Sequence, residues 1–440
     1  METFRLSNFF QPTRLFYWRH ILWRSQYWSS GKLRQLQWNL LSGLLDHCFL
    51  HVPFYKYRLE ELGLRRSDFR GLEDLAKLPV INKYIVKERF DDFKAIPFNR
   101  YNPKRIRSTG TSGYPLDVYW DSPSNVIELL CQYRHFSWAG YRLGEPFLDI
   151  RSVVFDESEV YRWNWQCRGL EVSSDYIDSS NIEYYAGLLR KYRIKLWRGY
   201  PQSIDYFCRL LEDAGINDIK PKTIVSVAFS ILPYQCQFIE SWSGVPVCDN
   251  YGLDEHVALI CQCPESKGYH IAPEYGIVEI IASDGTAARD GEEGRLIATG
   301  LHNRAFPLIR YDTMDFAIAS ERRCTCGRTL PIIEKLTGRI DDFILDTRGR
   351  WVSAVGFPLI NVKGIRKAQI VQETEKSLDV FIVPEKSFGK LNENQIIREY
   401  RKKLGRTMEI RVHHVDEVPY PRPGKKYKFS INKIKRKFER

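Results

Sequence analysis

The 440-residue sequence lacks the features of exported and membrane-spanning proteins. Its beginning has no short apolar run followed by a cleavage site of small residues, because Arg5, Arg14, Arg19 and Arg24 interrupt every apolar stretch there. No later segment approaches the roughly 20 consecutive apolar residues that cross a bilayer. Internal repeats and low-complexity tracts are also lacking. We therefore expect a globular cytoplasmic protein.

Negative charge is scarce at both ends of the chain. Residues 1–40 carry six Lys or Arg against Glu2 alone, and residues 421–440 carry nine against Glu439 alone, out of a total net charge of +12. The long middle part is therefore nearly neutral, which argues against a nucleic-acid surface. The first 40 residues also hold tryptophans among arginines, so they are either a helix packed on the main body or a peripheral anchor at the inner membrane face.

The pattern of apolar and polar residues changes once along the chain. From about 100 to 337, short apolar runs alternate with helical stretches, as in 195–201 followed by 204–214, and this alternation predicts a parallel-rich α/β sheet with helices. After Gly338 come a hairpin pattern around Thr347-Arg348-Gly349, further strands and a helix near 393–404. The sequence thus predicts a large α/β domain followed by a small α+β domain.

A loop rich in hydroxyls and glycine lies before a predicted strand at Leu116. Its glycines let the backbone approach an anion, and its hydroxyls can donate to phosphate oxygens. No Gly-Lys-Ser/Thr closes it, so it is not a Walker loop. By itself the string could equally be a Ser/Gly-rich turn. Its residues are Ser108, Thr109, Gly110, Thr111, Ser112 and Gly113.

Three further strings follow in a fixed order. Residues 249–255 read Asp-Asn-Tyr-Gly-Leu-Asp-Glu, residues 308–315 read Leu-Ile-Arg-Tyr-Asp-Thr-Met-Asp, and residues 337–344 read Thr-Gly-Arg-Ile-Asp-Asp-Phe-Ile. Together with the loop they resemble the adenylate-forming superfamily. Within it, Gly199-Tyr200-Pro201 and the segment from Cys324 to Pro331 look like the phenylacetate-CoA ligase and capsular-polysaccharide branch.

The resemblance implies domains and a reaction. Residues 1–95 would form the helical part of the large domain, 96–338 an AMP-binding core, and 339–440 a mobile lid with a catalytic lysine. The enzyme would use ATP and Mg²⁺ to convert a carboxylic acid into an acyl-adenylate, with release of pyrophosphate. The acyl group would then pass to CoA or another acceptor, in cell-surface polysaccharide biosynthesis as one setting.

The resemblance also implies roles for individual residues. The loop 108–113 would cover the ATP phosphates, and Tyr251 would stack on adenine with Gly252 beside it. Glu255 would hold Mg²⁺, and Asp315 would accept from the ribose hydroxyls. Two residues of the third string complete the set: Arg339 beside the ribose, and Asp341 as the hinge.

The catalytic lysine has two candidates in Pro423-Gly424-Lys425-Lys426-Tyr427-Lys428. The spacing of lysine, aromatic and basic residue favours Lys426, whereas direct attachment to Gly424 favours Lys425. A lysine run in a solvated basic tail is the other interpretation. We rank Lys426 first.

Cysteine and histidine form a second pattern. Cys263, His270, Cys324 and Cys326 could supply the four tetrahedral ligands of a structural Zn²⁺, with Cys261 as a spare. Buried thiols without a metal are the alternative. Relatives on the resembled branch carry the same Cys-x-Cys-Gly-Arg segment.

Three departures from the superfamily pattern raise a second hypothesis. Asp254 stands where Thr or Ser is frequent near the phosphate, Met314 replaces a glycine, and Phe229-Ser230 replaces a Gly/Ala-Glu-Pro segment. The alternative to an active enzyme is therefore a catalytically reduced protein that binds or assembles components of polysaccharide biosynthesis.

Overall fold

The computed structural model describes most of the chain. The described residues are 12–107, 116–151, 160–165, 167–173, 176–339, 344–347, 351–352, 357–359, 362–418 and 430–433.

The helices begin and end at residues that favour helix termini. Asn82 and Asp121 accept from the first backbone N–H groups of their helices, and Gly63 and Gly244 end theirs in the left-handed conformation. The helices are α1 (Pro12–Ser25), α2 (Ser30–His51), α3 (Pro53–Leu62), α4 (Lys83–Glu88), α5 (Ser122–Trp138), α6 (Ile182–Tyr192), α7 (Pro201–Asp213), α8 (Pro233–Ser243) and α9 (Lys390–Leu404).

The strands range from two to ten residues in length. They are β1 (Lys104–Arg107), β2 (Asp117–Trp120), β3 (Phe147–Arg151), β4 (Tyr161–Asn164), β5 (Gly169–Ser173), β6 (Leu196–Gly199), β7 (Thr223–Val227), β8 (Val247–Gly252), β9 (Leu259–Cys263), β10 (Ser266–Ile271), β11 (Gly276–Ile281), β12 (Glu293–Gly300), β13 (Tyr311–Ser320), β14 (Ile332–Arg339), β15 (Ile344–Leu345), β16 (Trp351–Val352), β17 (Ile365–Thr374), β18 (Ser377–Pro384), β19 (Glu409–His414) and β20 (Ser430–Asn432).

One mixed sheet dominates the large part of the molecule. Its strand order is β11-β12-β13-β14-β10-β9-β8-β7-β6-β3-β5-β4. The run from β8 through β7, β6 and β3 to β5 is parallel, and β4 and the strands from β9 onward join antiparallel. The carboxyl ends of the parallel strands therefore meet at one edge, where ligands bind in open α/β sheets.

Apolar side chains pack against helices on both faces of the parallel half. On one face, Leu148, Leu170 and Trp197 pack with residues of α6, α7 and α8. On the other, Leu196 and Val225 pack with Tyr133 and Phe136 of α5. Burial on both faces is typical of a parallel sheet.

A buried ion pair ties the N-terminal helices to this body. Arg134 on α5 and Glu274 are both fully buried, with Nη1 and Oε1 2.8 Å apart, and the Ser25 hydroxyl at the end of α1 also donates to Glu274. Removing one partner of such a pair leaves an uncompensated buried charge and costs about 3–5 kcal/mol. Along the described residues, no helix combines the length and the apolar character that crossing a membrane requires.

The C-terminal part has its own sheet and core. The order β19-β18-β17-β20 forms a four-stranded sheet, and Ile396, Tyr400 and Leu404 of α9 pack against it. Tyr234 of α8 joins that core, and Arg209 Nη1 of α7 lies 2.6 Å from Glu385 Oε1. The predicted fold class, a large α/β part followed by a small α+β part, is confirmed. The hairpin β15–β16 and the helix near 393–404 also form as expected.

Candidate active site

Two of the predicted motifs, residues 249–255 and 308–315, meet near the carboxyl end of β8. Tyr251 and Gly252 end β8, and the turn that holds Asp254 and Glu255 follows directly. Backbone strain collects in the same region, because Ala228 after β7 (φ 69°) and His256 after the turn (φ 55°) are left-handed non-glycine residues. Such strain persists where the surrounding structure fixes it, and it often accompanies functional sites.

The first contact between motifs joins Tyr251 to Asp315. The tyrosine hydroxyl donates to the carboxylate, with Oη and Oδ2 2.6 Å apart. Asp315 is buried on β13, and its direct cross-strand partner is Arg339 on β14. The sequence predicted these three residues for the nucleotide site, and the fold joins Tyr251 to Asp315 through their side chains and pairs Asp315 with Arg339 along the backbone.

A second contact joins the same two motifs. The Tyr311 hydroxyl at the start of β13 donates to Glu255, with Oη and Oε1 3.0 Å apart. Tyr311 is buried, whereas Glu255 is partly exposed. The two tyrosine–carboxylate bonds fix the turn after β8 against β13.

Trp120 and His256 support the turn from β2. Trp120 Nε1 donates to the Asp254 carbonyl at 2.6 Å, and its ring stacks on His256 with centroids 4.1 Å apart. Burial lowers the pKa of His256 to about 3, so its imidazole is neutral at neutral pH. Sequence reasoning missed this pair, which has no local signal because 136 positions separate the two residues.

Sequence reasoning also missed Glu128 on α5 as a residue of the candidate site. A Cβ atom built on Gly252 would lie 4.0 Å from Glu128 Oε1, so the carboxylate faces the end of β8. Gln132 Nε2 donates to the same oxygen at 2.5 Å. Burial raises the pKa of Glu128, and the Asp254 carboxylate adds to that effect. A glutamate in the apolar stretch Val126-Ile127-Glu128-Leu129-Leu130 was the available sequence signal.

The departures from the superfamily pattern have structural consequences. Met314 has φ 61°, in the left-handed region that favours the glycine usual at this position. Asp254 lies in the turn and is half-buried. Phe229 packs edge-on against Tyr200, with centroids 5.0 Å apart.

Several predicted site residues lie outside the described residues. They are the loop 108–113, Asp341, Lys425 and Lys426, and the side chain of Arg339 is likewise not described. Their roles stay predictions.

The four predicted metal ligands do come together. Their ligand atoms all lie within 4.8 Å of one another. Cys263 Sγ is 3.6 Å from Cys324 Sγ, and Cys326 Sγ is 3.5 Å from His270 Nε2. The β9–β10 hairpin contributes Cys263 and His270, and the loop before β14 contributes the other two. We call these four residues the Cys/His cluster.

The chemistry of the Cys/His cluster suits a tetrahedral soft metal. Burial lowers the pKa of His270 to about 4, which keeps the imidazole neutral and able to coordinate. Burial, with the neighbouring Cys326 and Cys324 sulfurs, raises the pKa of Cys263 to about 12. Thiols in this setting ionise when a cation is bound. Three thiolates and one imidazole fit the Cys₃His set of structural zinc sites.

Comparison with known structures defines the class of the fold. A crystal structure of 2-hydroxyisobutyryl-CoA ligase in the postadenylation state matches with a TM-score of 0.76. The match covers 92% of this chain and 90% of the other at 18% identity. The fold is therefore that of the adenylate-forming ligases.

Sequence relatives define the branch. The phenylacetate-coenzyme A ligase of Thermus thermophilus is 26% identical over 329 residues, which cover 71% of this chain and 72% of that protein. Protein CapK of Staphylococcus aureus is 24% identical over 376 residues, which cover 82% and 81% of the two chains. Residues 346–433 match the family described as the CapK C-terminal domain.

Together these relatives confirm the resemblance that the motifs indicated. They support the adenylate-forming superfamily and, within it, the phenylacetate-CoA ligase and CapK-like branch. They also support the predicted enzyme class, an acid–CoA ligase-like protein.

Proposed function

We propose that this protein uses ATP to convert a carboxylic acid into an acyl-adenylate, releases pyrophosphate, and transfers the acyl group to CoA. The observation that carries the proposal is the pair of bonds Tyr251–Asp315 and Glu255–Tyr311, because they assemble the two nucleotide motifs at the carboxyl edge of the sheet. Similar proteins named as CoA ligases support the general reaction.

The residues fit the nucleotide that this reaction needs. Tyr251 offers a half-buried aromatic ring, the buried Asp315 carboxylate suits ribose hydroxyls, and the Glu255 carboxylate is an oxygen ligand of the kind that Mg²⁺ prefers. ATP supplies the electrophilic α-phosphate and the pyrophosphate leaving group. The protein's part is to hold the acid in line and to neutralise the leaving charge.

The test is acid-dependent pyrophosphate release by the full chain. We expect Lys426→Ala to lose most of this activity and to retain ATP binding, with Lys425→Ala as the matched control one residue away. If Lys425→Ala abolishes release and Lys426→Ala does not, the lysine assignment is wrong. If no acid in a broad panel releases pyrophosphate, the adenylation proposal itself fails.

We further propose that the Cys/His cluster holds a structural Zn²⁺. The convergence of three sulfurs and one imidazole nitrogen within 4.8 Å supports it. The cluster joins β9 and β10 to the segment before β14, so a metal there would fix strands next to the nucleotide site. Unliganded buried thiols remain the alternative that metal analysis decides.

Two finer proposals concern the setting of the reaction. Similarity to CapK supports cell-surface polysaccharide biosynthesis as the setting, and similarity to CoA ligases supports an active ligase over a turnover-deficient assembly component. The exposed Phe16 and Tyr17 on α1, beside Arg19, support peripheral attachment to an anionic membrane surface. Flotation with anionic liposomes, with and without residues 1–25, tests the attachment. Equal flotation of both forms would contradict it.

A further inference from the structure

Four charged side chains form a line across the large sheet. Arg162 on β4 lies opposite Glu171 on β5, Glu171 lies opposite Asp149 on β3, and Asp149 lies opposite Arg198 on β6. Directly opposed residues project from the same face of a sheet. We call these four residues the charged row. Their chain neighbours on the other face are apolar and belong to the core under α6, α7 and α8.

The middle of the charged row is buried. Glu171 is 7% exposed and Asp149 is 5% exposed, whereas Arg198 is half-buried. Arg151 Nη2 donates to Asp149 Oδ2 at 2.7 Å. The other oxygen, Asp149 Oδ1, is buried and has no hydrogen-bond partner within the described part of the chain. A buried carboxylate oxygen without a partner is costly, so its presence points to a ligand that completes it.

The charged row lies next to the candidate active site. Arg198 projects toward α5, where its guanidinium carbon is 6.0 Å from the centre of the Phe136 ring. Glu128, which lies on the same helix, reaches the end of β8 beside Gly252. The Arg198 charge is also close enough to act on Glu128, so the row and the end of β8 both approach α5.

Tyr200 links the two regions. It follows β6 directly, and burial raises its pKa, with Arg151, Asp149 and Asp254 all close enough to act on its hydroxyl. The charges of the row and the turn after β8 are thus within electrostatic reach of one tyrosine. An acid whose carboxylate lies at the turn would extend its body toward the row.

We propose that the charged row forms the wall of the acid pocket, and that the acid which this protein activates carries hydroxyl groups along its body. This inference rests on the proposed adenylation. A hydroxyl both donates and accepts, so it can satisfy a carboxylate and a guanidinium in turn. The row contains two groups of each sign, which suits a neutral polyhydroxylated body better than a second charged group.

An unsubstituted aryl or alkyl acid would fit this wall poorly. Its body would leave the buried Asp149 Oδ1 without a partner, at a cost of about 1–3 kcal/mol. Sites built to bond a substrate hydroxyl can reject the analogue that lacks it by about 10⁴–10⁵-fold. We therefore expect simple aromatic and aliphatic acids to be poorer substrates of this protein than acids with hydroxyl groups.

The decisive experiment compares acids of equal chain length. Gluconate and hexanoate share a six-carbon skeleton and differ in hydroxyls, and 6-aminohexanoate adds a terminal ammonium group. With wild-type protein we expect the kcat/KM of pyrophosphate release to be at least about 100-fold higher for gluconate than for hexanoate. If hexanoate, phenylacetate or 6-aminohexanoate equals or exceeds gluconate, the inference is overturned while the proposed function stands.

A variant tests the charged row directly. Arg198→Met should lower the ratio of kcat/KM for gluconate to kcat/KM for hexanoate by about 10-fold or more. Arg190→Met is the matched control, because Arg190 lies on α6, on the opposite face of the sheet, and pairs with Asp218 at 2.7 Å. Should Arg198→Met not fold, the wild-type preference alone decides.

Failure of adenylation is distinguishable from failure of this inference. If no acid releases pyrophosphate, the proposed function falls, and ligand-observed NMR then tests binding by itself. Gluconate binding that exceeds hexanoate binding and weakens in Arg198→Met would sustain the hydroxyl-binding wall. Equal binding of the two acids, or no binding of either, would overturn it.

Discussion

The hydroxyl of Tyr251 donates to the carboxylate of Asp315, with Oη and Oδ2 2.6 Å apart. The two residues are 64 positions apart in the chain, one at the end of β8 and the other on β13. The bond joins two separate motifs that the sequence predicts to bind the nucleotide.

A double-mutant cycle should detect this bond as a coupling energy between Tyr251 and Asp315. Tyr251→Phe keeps the ring and removes the donor, and Asp315→Ala removes the acceptor. Hydrogen bonds to charged groups contribute about 1.5–3 kcal/mol, so we expect a coupling energy in that range from urea denaturation of the two single variants and the double variant. Additive single-variant effects would mean that the bond contributes nothing to stability.

Met314 should be strained. Its φ of 61° costs a side-chain-bearing residue about 1–2 kcal/mol relative to glycine. We therefore expect Met314→Gly to be more stable than the matched control Met314→Ala by about 1 kcal/mol, after the greater freedom of glycine in the unfolded chain is allowed for. Chemical denaturation measures both. An alanine variant as stable as the glycine variant would show that no strain is stored there.

Asp249 should make stability depend on pH. Burial raises its pKa from 3.8 to about 6, although the hydroxyls of Ser226 and Tyr269 donate to it. Between these two values the native state binds more protons than the unfolded state, so the free energy of unfolding falls as pH rises through that window. The loss is on the order of 3 kcal/mol.

Asp249→Asn removes this titration. The stability of the variant relative to wild type should therefore increase when pH is raised from about 4 to about 7. Denaturant unfolding at both pH values measures it, and Asp284→Asn in an exposed turn is a suitable control. A stability difference that does not change with pH would contradict the assignment.

Zinc content tests the Cys/His cluster. We expect about one equivalent of zinc in protein purified without chelator, and less than half of that in Cys326→Ser. Cys261→Ser is the matched control, since Cys261 is a buried neighbour on β9 that is not among the four converging ligands. Zinc loss in both variants, or none in wild type, would refute a site made of these four residues.

Local patterns in the sequence determined the broad fold and the location of the motifs. Alternating apolar runs and helical stretches from about 100 to 337 predicted the α/β sheet, and the hairpin near Thr347 and the helix near 393–404 also form. These features succeed because turn residues and periodicity act over a few positions. The Cys/His cluster could be proposed for a similar reason. Its ligands lie in two short segments, 263–270 and 324–326, whose cysteines and histidine are chemically distinctive.

Only the tertiary structure decided which side chains face one another. Trp120 stacks on His256, Glu128 reaches Gly252, and Asp149 lies between Glu171 and Arg198. A charged residue in a buried strand was visible in Leu196-Trp197-Arg198-Gly199, but its partners come from strands whose order in the sheet differs from their order in the chain. Strand order and register depend on long-range packing, so the sequence alone indicated a candidate nucleotide site, while the fold decided that these charged side chains lie in one row.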